Sequence, residues 1–228
     1  MKLRELLKYN DIVIQCHDNP DADALASAYG VASYFELHGK KTRIVYSGKF
    51  KIQKSNLLIM ISKLEIPIEY VETLDNPELL ITVDCQYGQG NIVRFDAQNV
   101  AIIDHHQVTG ALPPLSEVRS NLSSCSTLIR EMLSDEGIDI NKDTKLSTAL
   151  YYGLLTDTNN FAEVNHPLDK DLRDDADYDR CLITLFRNSN LSLEELEIAG
   201  EALMGYHYEE KKGMQLLRPS PVIQTFLE

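Results

Sequence analysis

The chain has 228 residues, 43% of them hydrophobic and 25% charged, a composition that can bury a core and excludes compositional disorder. Twenty-two basic against 35 acidic side chains leave a net charge of −13, which excludes sequence reading on duplex DNA, where Lys and Arg must neutralise phosphates. The longest apolar block, 57–61, is too short for a signal peptide's hydrophobic stretch or a membrane span, so a cytoplasmic protein of about one domain is expected.

Residues 11–16 (DIVIQC) form an apolar run followed by a helical pattern over 24–39, and the alternation repeats with 42–47 (TRIVYS) and 54–65 (KSNLLIMISKLE). Such alternation is the signature of successive βα units. Two further runs, 78–85 (ELLITVDC) and 99–104 (NVAIID), are mostly apolar until they end in acidic residues, as expected of central parallel strands covered on both faces. The expected fold is α/β, a doubly wound and mainly parallel sheet flanked by helices, with a helical C-terminal portion. In such sheets ligands gather outside the carboxyl ends of the strands, at the switch in strand order.

From residue 123 the pattern turns helical. The segment 123–137 opens on Ser residues suited to capping and stops at Gly137, 144–158 forms a second helix, and 191–206 a third, with Ser192 and Glu195 as its capping box. An acid-rich segment, 169–179, and the run CLITLFRNSN lie between the last two. The final stretch, 208–228, carries strand-like fragments and two prolines, which read as a linker and the first strand of a further domain. The expected division is one domain over 1–190 and, over 191–228, a connecting helix and the start of a further C-terminal domain.

Cys16, Cys85, Cys125 and Cys181 lie far apart with no C-x-x-C pair, which fits four buried, reduced thiols. Strand alternation points Cys16 and Cys85 away from the face of their neighbours His17 and Asp84.

Those neighbours carry the chemistry. His17, Asp21 and Asp23 stand in an H-x-x-x-D-x-D loop after the first run; Asp84 ends the run ITVD; Asp104, His105 and His106 follow the next; Asp157 closes the helical segment GLLTDT. Carboxylates gathered in one crevice resist ionisation unless something positive sits among them. Asp21, Asp23, Asp84 and Asp157 together carry −4, which two divalent cations would balance. Oxygen donors with a minority of imidazole favour manganese or magnesium, with zinc and cobalt left open by ligand type alone.

The motifs HDNPDADALAS, VDC, DHH and GLLTDT, in this order, resemble the four motifs of the DHH phosphoesterase superfamily. That superfamily includes RecJ-like exonucleases, bacterial oligoribonucleases that also act on 3'-phosphoadenosine 5'-phosphate, cyclic-dinucleotide phosphodiesterases and manganese-dependent pyrophosphatases. The resemblance covers roughly residues 1–205. It implies one cation held by His17, Asp21 and Asp84, and a second held by Asp23, Asp84, His105 and Asp157, with Asp84 bridging. It also implies that His106 faces the substrate phosphate, Asp104 orients a ligand histidine, and a water activated by the two cations attacks phosphorus. Ala22 stands where family members often carry Gly, and the family's Gly-Gly-Gly-His substrate motif does not occur in this chain.

Residues 39–56 hold six basic and no acidic side chains, either a solvated face or a rim guiding nucleotide phosphates. SNLSSCST (120–127) and Arg187 each read equally as phosphate contacts or as a helix cap and a surface pair. The leading expectation is a two-metal phosphodiesterase or phosphatase, with manganese ahead of magnesium, acting on short oligonucleotides or small nucleotides, closest to the oligoribonuclease branch. The absence of tryptophan argues against RecJ-like action on long single strands. A manganese-dependent pyrophosphatase and a nucleotide-sensing module with little turnover are the alternatives. No membrane partner is expected, and a homodimer is.

Overall fold

In a computed structural model the chain is described over residues 1–108, 110–189, 193–204, 206–209 and 214–217. A short 3-10 turn, Leu3–Leu6, leads into β1 (Ile12–Cys16), α1 (Ala22–Leu37), β2 (Thr42–Tyr46), α2 (Ser55–Leu64), β3 (Ile68–Tyr70), β4 (Leu79–Val83), β5 (Val100–Asp104) and β6 (Leu115–Val118). The strands form one sheet in the order β3-β2-β1-β4-β5-β6. Every neighbouring pair is parallel. The winding therefore reverses between β1 and β4, whose carboxyl ends lie side by side with Cys16 in register with Val83.

Alternation along the strands sorts the two faces. Ile12, Ile14, Ile44, Leu79, Ile81, Ala101 and Ile103 join the large core beneath the helices, whereas Val13, Val45 and Leu80 face a smaller cluster with Phe95. A right-handed crossover from β4 to β5 runs on the face opposite α1. That connection, with Tyr87, Val93 and Phe95, covers the second face without a helix. Both faces are covered as the apolar runs predict, but the helices share one side.

After β6 come α3 (Cys125–Asp135), α4 (Thr144–Asp157), α5 (Pro167–Asp175), α6 (Arg180–Asn188) and α7 (Leu193–Met204). Ser124 caps α3 by accepting from the Thr127 amide, and Asp143 caps α4 through the amides of Lys145 and Leu146. Each cap satisfies donors that an isolated helix start leaves open. Buried Tyr152 on α4 packs its ring 5.0 Å from Phe186 of α6 and accepts a hydrogen bond from Asn56 of α2 at 3.0 Å. An antiparallel pair, β7 (Tyr206–Glu209) and β8 (Met214–Leu217), follows α7. The capping box expected at Ser192 and the tail 218–228 lie outside the described residues.

Cys16, Cys85 and Cys125 are buried thiols, but Cys181 is exposed. α6 turns only a narrow apolar stripe, Ile183 and Phe186, to the core, and Cys181 falls outside it. Among the described residues no helix is long and apolar enough to cross a membrane.

Candidate metal centre

The switch between β1 and β4 gathers side chains from five elements. Asp21 is the N-cap of α1: its Oδ1 accepts from the amides of Asp23 and Ala24, each at 3.0 Å, leaving Oδ2 3.8 Å from His17 Nε2. His17 Nδ1 donates to the Asp18 carbonyl at 2.8 Å, which fixes the ring and leaves Nε2 for the crevice, 3.6 Å from Asp84 Oδ2. Asp23, in the first turn of α1 and fully buried, accepts from the first amides of α3: Cys125 to Oδ2 at 2.7 Å and Ser126 to Oδ1 at 2.9 Å. A helix N-terminus is a natural seat for a carboxylate.

Asp84 follows β4 with a left-handed backbone, φ 58°. Its Oδ1 lies 3.3 Å from His105 Nε2, and that nitrogen is 3.3 Å from Asp157 Oδ2 and 4.0 Å from Asp23 Oδ2. His105 Nδ1 turns away, 3.3 Å from the Leu122 carbonyl oxygen. The donor atoms fall into overlapping groups whose members lie within 4.8 Å of one another: His17, Asp21 and Asp84; Asp23, His105 and Asp157; Asp84, His105 and His106.

His106 points its imidazole outward, with 57% of the side chain exposed, while Nδ1 sits 2.8 Å from Asp104 Oδ1. Asp104 is fully buried and saturated: Oδ1 also accepts the His105 amide at 2.9 Å, and Oδ2 accepts Gln86 Nε2 at 2.8 Å. Gln86 in turn donates to the Gln107 carbonyl at 3.0 Å. The hydrogen bond to Asp104 holds His106 above its ordinary value, against the pull of burial.

The electrostatics fit a cationic occupant. Burial lowers the His17 imidazole, but Asp21 and Asp84 outweigh it and hold it up at about 11; His105, likewise opposed by burial, is lifted to about 10 by Asp84, Asp23 and Asp157. Burial, with Asp84 as neighbour, pushes Asp157 up to about 6, and burial with Asp84 and Asp157 drives Asp23 well upward. Shifts in this direction mark a cluster of negative charge that a bound cation would offset. Two buried atoms in the middle, Asp84 Oδ1 and His105 Nε2, have no hydrogen-bond partner. Buried polar atoms without partners are costly, and this donor set of carboxylate oxygens and imidazoles suits a divalent cation.

The structure therefore brings His17, Asp21, Asp23, Asp84, Asp104, His105, His106 and Asp157 into one crevice. The hydroxyl-rich segment 120–127 serves Asp23 and its own cap, so the amides of Cys125 and Ser126 are already engaged. Arg187 lines a hollow with Thr156 and Asn159, beyond Asp157. The sequence reading did not find Gln86, since a neutral amide after VDC belongs to no spacing pattern. Nor did it find Asp169, buried on α5, whose carboxylate accepts the Ser123 amide at 3.1 Å.

A profile described as the DHH family, N-terminal domain, matches residues 11–154. An uncharacterized protein of Methanocaldococcus jannaschii is 27% identical over 199 residues, 85% of this chain and 40% of that protein. A probable manganese-dependent inorganic pyrophosphatase of Streptococcus thermophilus is 25% identical, covering 62% of this chain and 46% of that protein. The cyclic-di-AMP phosphodiesterase GdpP of Geobacillus thermodenitrificans is 26% identical over 70% of this chain and 26% of its own length. The chain thus spans less than half the length of each of these relatives.

Proposed function

The chain belongs to the DHH family, and from that premise we propose that it hydrolyses phosphoester bonds in short oligonucleotides or small nucleotides with two divalent cations, manganese first and magnesium second. The carrying observation is Asp84. Its two oxygens face different groups, Oδ2 towards His17 and Oδ1 towards His105, and Oδ1 has no hydrogen-bond partner. A carboxylate so placed suits a bridge between one cation held by His17 and Asp21 and another held by Asp23, His105 and Asp157. When bound, the cations would supply a hydroxide nucleophile near neutral pH and neutralise charge on the phosphoryl oxygens.

The chain's own groups do the rest. Asp104 Oδ1 accepts a hydrogen bond from His106 Nδ1–H, which leaves Nε2 at the open side of the crevice to donate to a phosphate oxygen or to the departing oxygen. Gln86 keeps Asp104 from turning. The amides of Cys125 and Ser126, at the start of α3, fix the orientation of Asp23, which would hold the second cation. In this reading residues 1–190 form the catalytic domain, and the protein works in the cytoplasm, as a homodimer.

The matched pyrophosphatase supports a second reading, in which inorganic pyrophosphate is the substrate. Both are tested by one panel: dinucleotides, 3'-phosphoadenosine 5'-phosphate, a cyclic dinucleotide and pyrophosphate, each with manganese, magnesium or chelator. Manganese-dependent turnover of the first two is expected. Turnover of pyrophosphate alone would replace the first reading by the second, and inactivity on all four in folded, metal-loaded protein would favour a nucleotide sensor.

A further inference from the structure

The connection from β2 to α2 leaves the carboxyl edge of the sheet next to β1, on the side of the crevice where His17 lies. It is anchored at both ends. Ser47 and Ile52 are buried, the Ile52 amide donates to Tyr46 Oη at 3.1 Å, and Tyr70 Oη donates to the Gly48 carbonyl at 2.8 Å. Gly48, at φ 105°, stands so close to the loop after β1 that a Cβ there would lie 2.8 Å from Asp18 Cβ. Asp18 adjoins His17 and accepts the Val93 amide at 3.1 Å.

Between these anchors three residues turn outward: Lys49, Phe50 and Lys51 are all exposed, Phe50 by 58%. The Lys49 ammonium lies 5.0 Å from the centre of the Phe50 ring and that of Lys51 lies 5.1 Å from the centre of the Tyr70 ring. A phenylalanine this exposed contributes little to the core, where its type is usually found. Of the six basic residues in 39–56, Lys49, Lys51 and Lys54 lie in this connection, whereas Lys40 and Lys41 precede β2 and Arg43 pairs with Glu69 at 3.0 Å. A positive, aromatic, firmly seated rim beside a phosphate-directed crevice matches how proteins hold short single strands, with rings for bases and ammonium groups for phosphates.

We propose that Lys49, Phe50 and Lys51 form a nucleotide-binding rim, Phe50 stacking a base and the two lysines contacting the phosphates next to the bond to be cleaved. The inference rests on the phosphoesterase reading for the direction of the substrate and narrows its class: base-bearing short strands are preferred over pyrophosphate. Stacking tolerates any base, so the rim selects for nucleotides without selecting sequence.

The test is equilibrium binding of a dye-labelled dinucleotide with a methylenephosphonate link, which resists hydrolysis, to the full chain loaded with manganese. Phe50→Ala should bind at least about fivefold more weakly, the equivalent of ~1 kcal/mol of stacking. Phe50→Tyr should restore binding, and Lys49→Gln with Lys51→Gln should flatten its salt dependence. Methylene diphosphonate, which has no base, should bind all the Phe50 variants alike. No binding by the wild type, or equal affinity of wild type and Phe50→Ala, would overturn the rim. Phe50-dependent binding by a protein that hydrolyses none of the natural substrates would leave the rim standing and remove the enzymatic reading.

Discussion

Asp84 adopts a backbone conformation that asparagine also tolerates, so Asp84→Asn takes away charge and bridging capacity while leaving the turn intact. Manganese bound per chain, measured by elemental analysis, should fall to background along with activity. His106→Ala should behave differently, keeping its metal while turnover drops by about 10²- to 10⁴-fold, the range for a lost general acid; loss of the metal as well would refute the role given to it. Gln86→Leu releases one oxygen of a buried carboxylate and should cost about 10- to 100-fold in activity, as other groups that orient such sites do. The raised values of His17 and His105, about 11 and 10, mean that without metal these residues contribute stability that is complete below about 6.5 and is lost as pH rises through the folded values. Asp157, held at about 6, acts with the same sign, losing its contribution between the ordinary carboxylate value and 6. Asp21 is lowered and matters only on acidification. Metal binds the deprotonated ligands, so the melting temperatures of manganese-loaded and chelated protein should diverge from pH 6 to 9; a constant gap would contradict the ligand assignment. The candidate ligands were legible in the sequence because His17, Asp84 and His105 follow apolar runs, Asp157 closes a helical segment, and Asp21 and Asp23 stand two apart in the loop after the first run. Gln86 was not, because a neutral amide at such a place is unremarkable until its partner, Asp104, comes into reach through folding.

α4 passes so close to α1 and α3 that a Cβ on Gly153 would lie 2.1 Å from Ser126 Oγ and 2.8 Å from Asp23 Oδ1. The serine hydroxyl can rotate aside. The carboxylate cannot, because the amides of Cys125 and Ser126 hold both its oxygens. Gly153→Ala should therefore lower the melting temperature, with ~1–3 kcal/mol lost to overpacking, and weaken manganese affinity in titration calorimetry. Adding Ser126→Gly should recover part of the stability but not the affinity; full recovery of both would show that Asp23 is not the group displaced. The elements that hold this geometry, β1, β4, β5, α1, α3 and α4, were readable because each buries enough apolar residues to show a continuous run or a helical spacing. β3 spans three residues and β6 (LSEV) is only half-buried throughout, so neither edge strand declared itself. α5 buries only Asp169 and Leu172, and α6 only Ile183 and Phe186, stripes too narrow to be separated from acid-rich loop by pattern.

Across the molecule, the site lies where the two directions of winding part, and neither half of the sheet holds it alone. β1 and α1 supply His17, Asp21 and Asp23, while Asp84, His105 and Asp157 come from β4, β5 and the end of α4. Strand order is what the sequence could not state, since periodicity identifies strands but not their neighbours; the expected crevice followed from the general behaviour of doubly wound sheets. Chelation should lower activity and melting temperature together, and manganese should restore both; a chelated protein melting like the loaded one would separate the cations from the fold. A cation held by Asp23 and Asp157 would clasp two distant stretches of chain, much as a crosslink closes a long loop. During synthesis Asp23 leaves the ribosome well before Asp157, so the second site would be complete only once α4 has emerged and docked, and a cation there would seal a sheet that has already chosen its order.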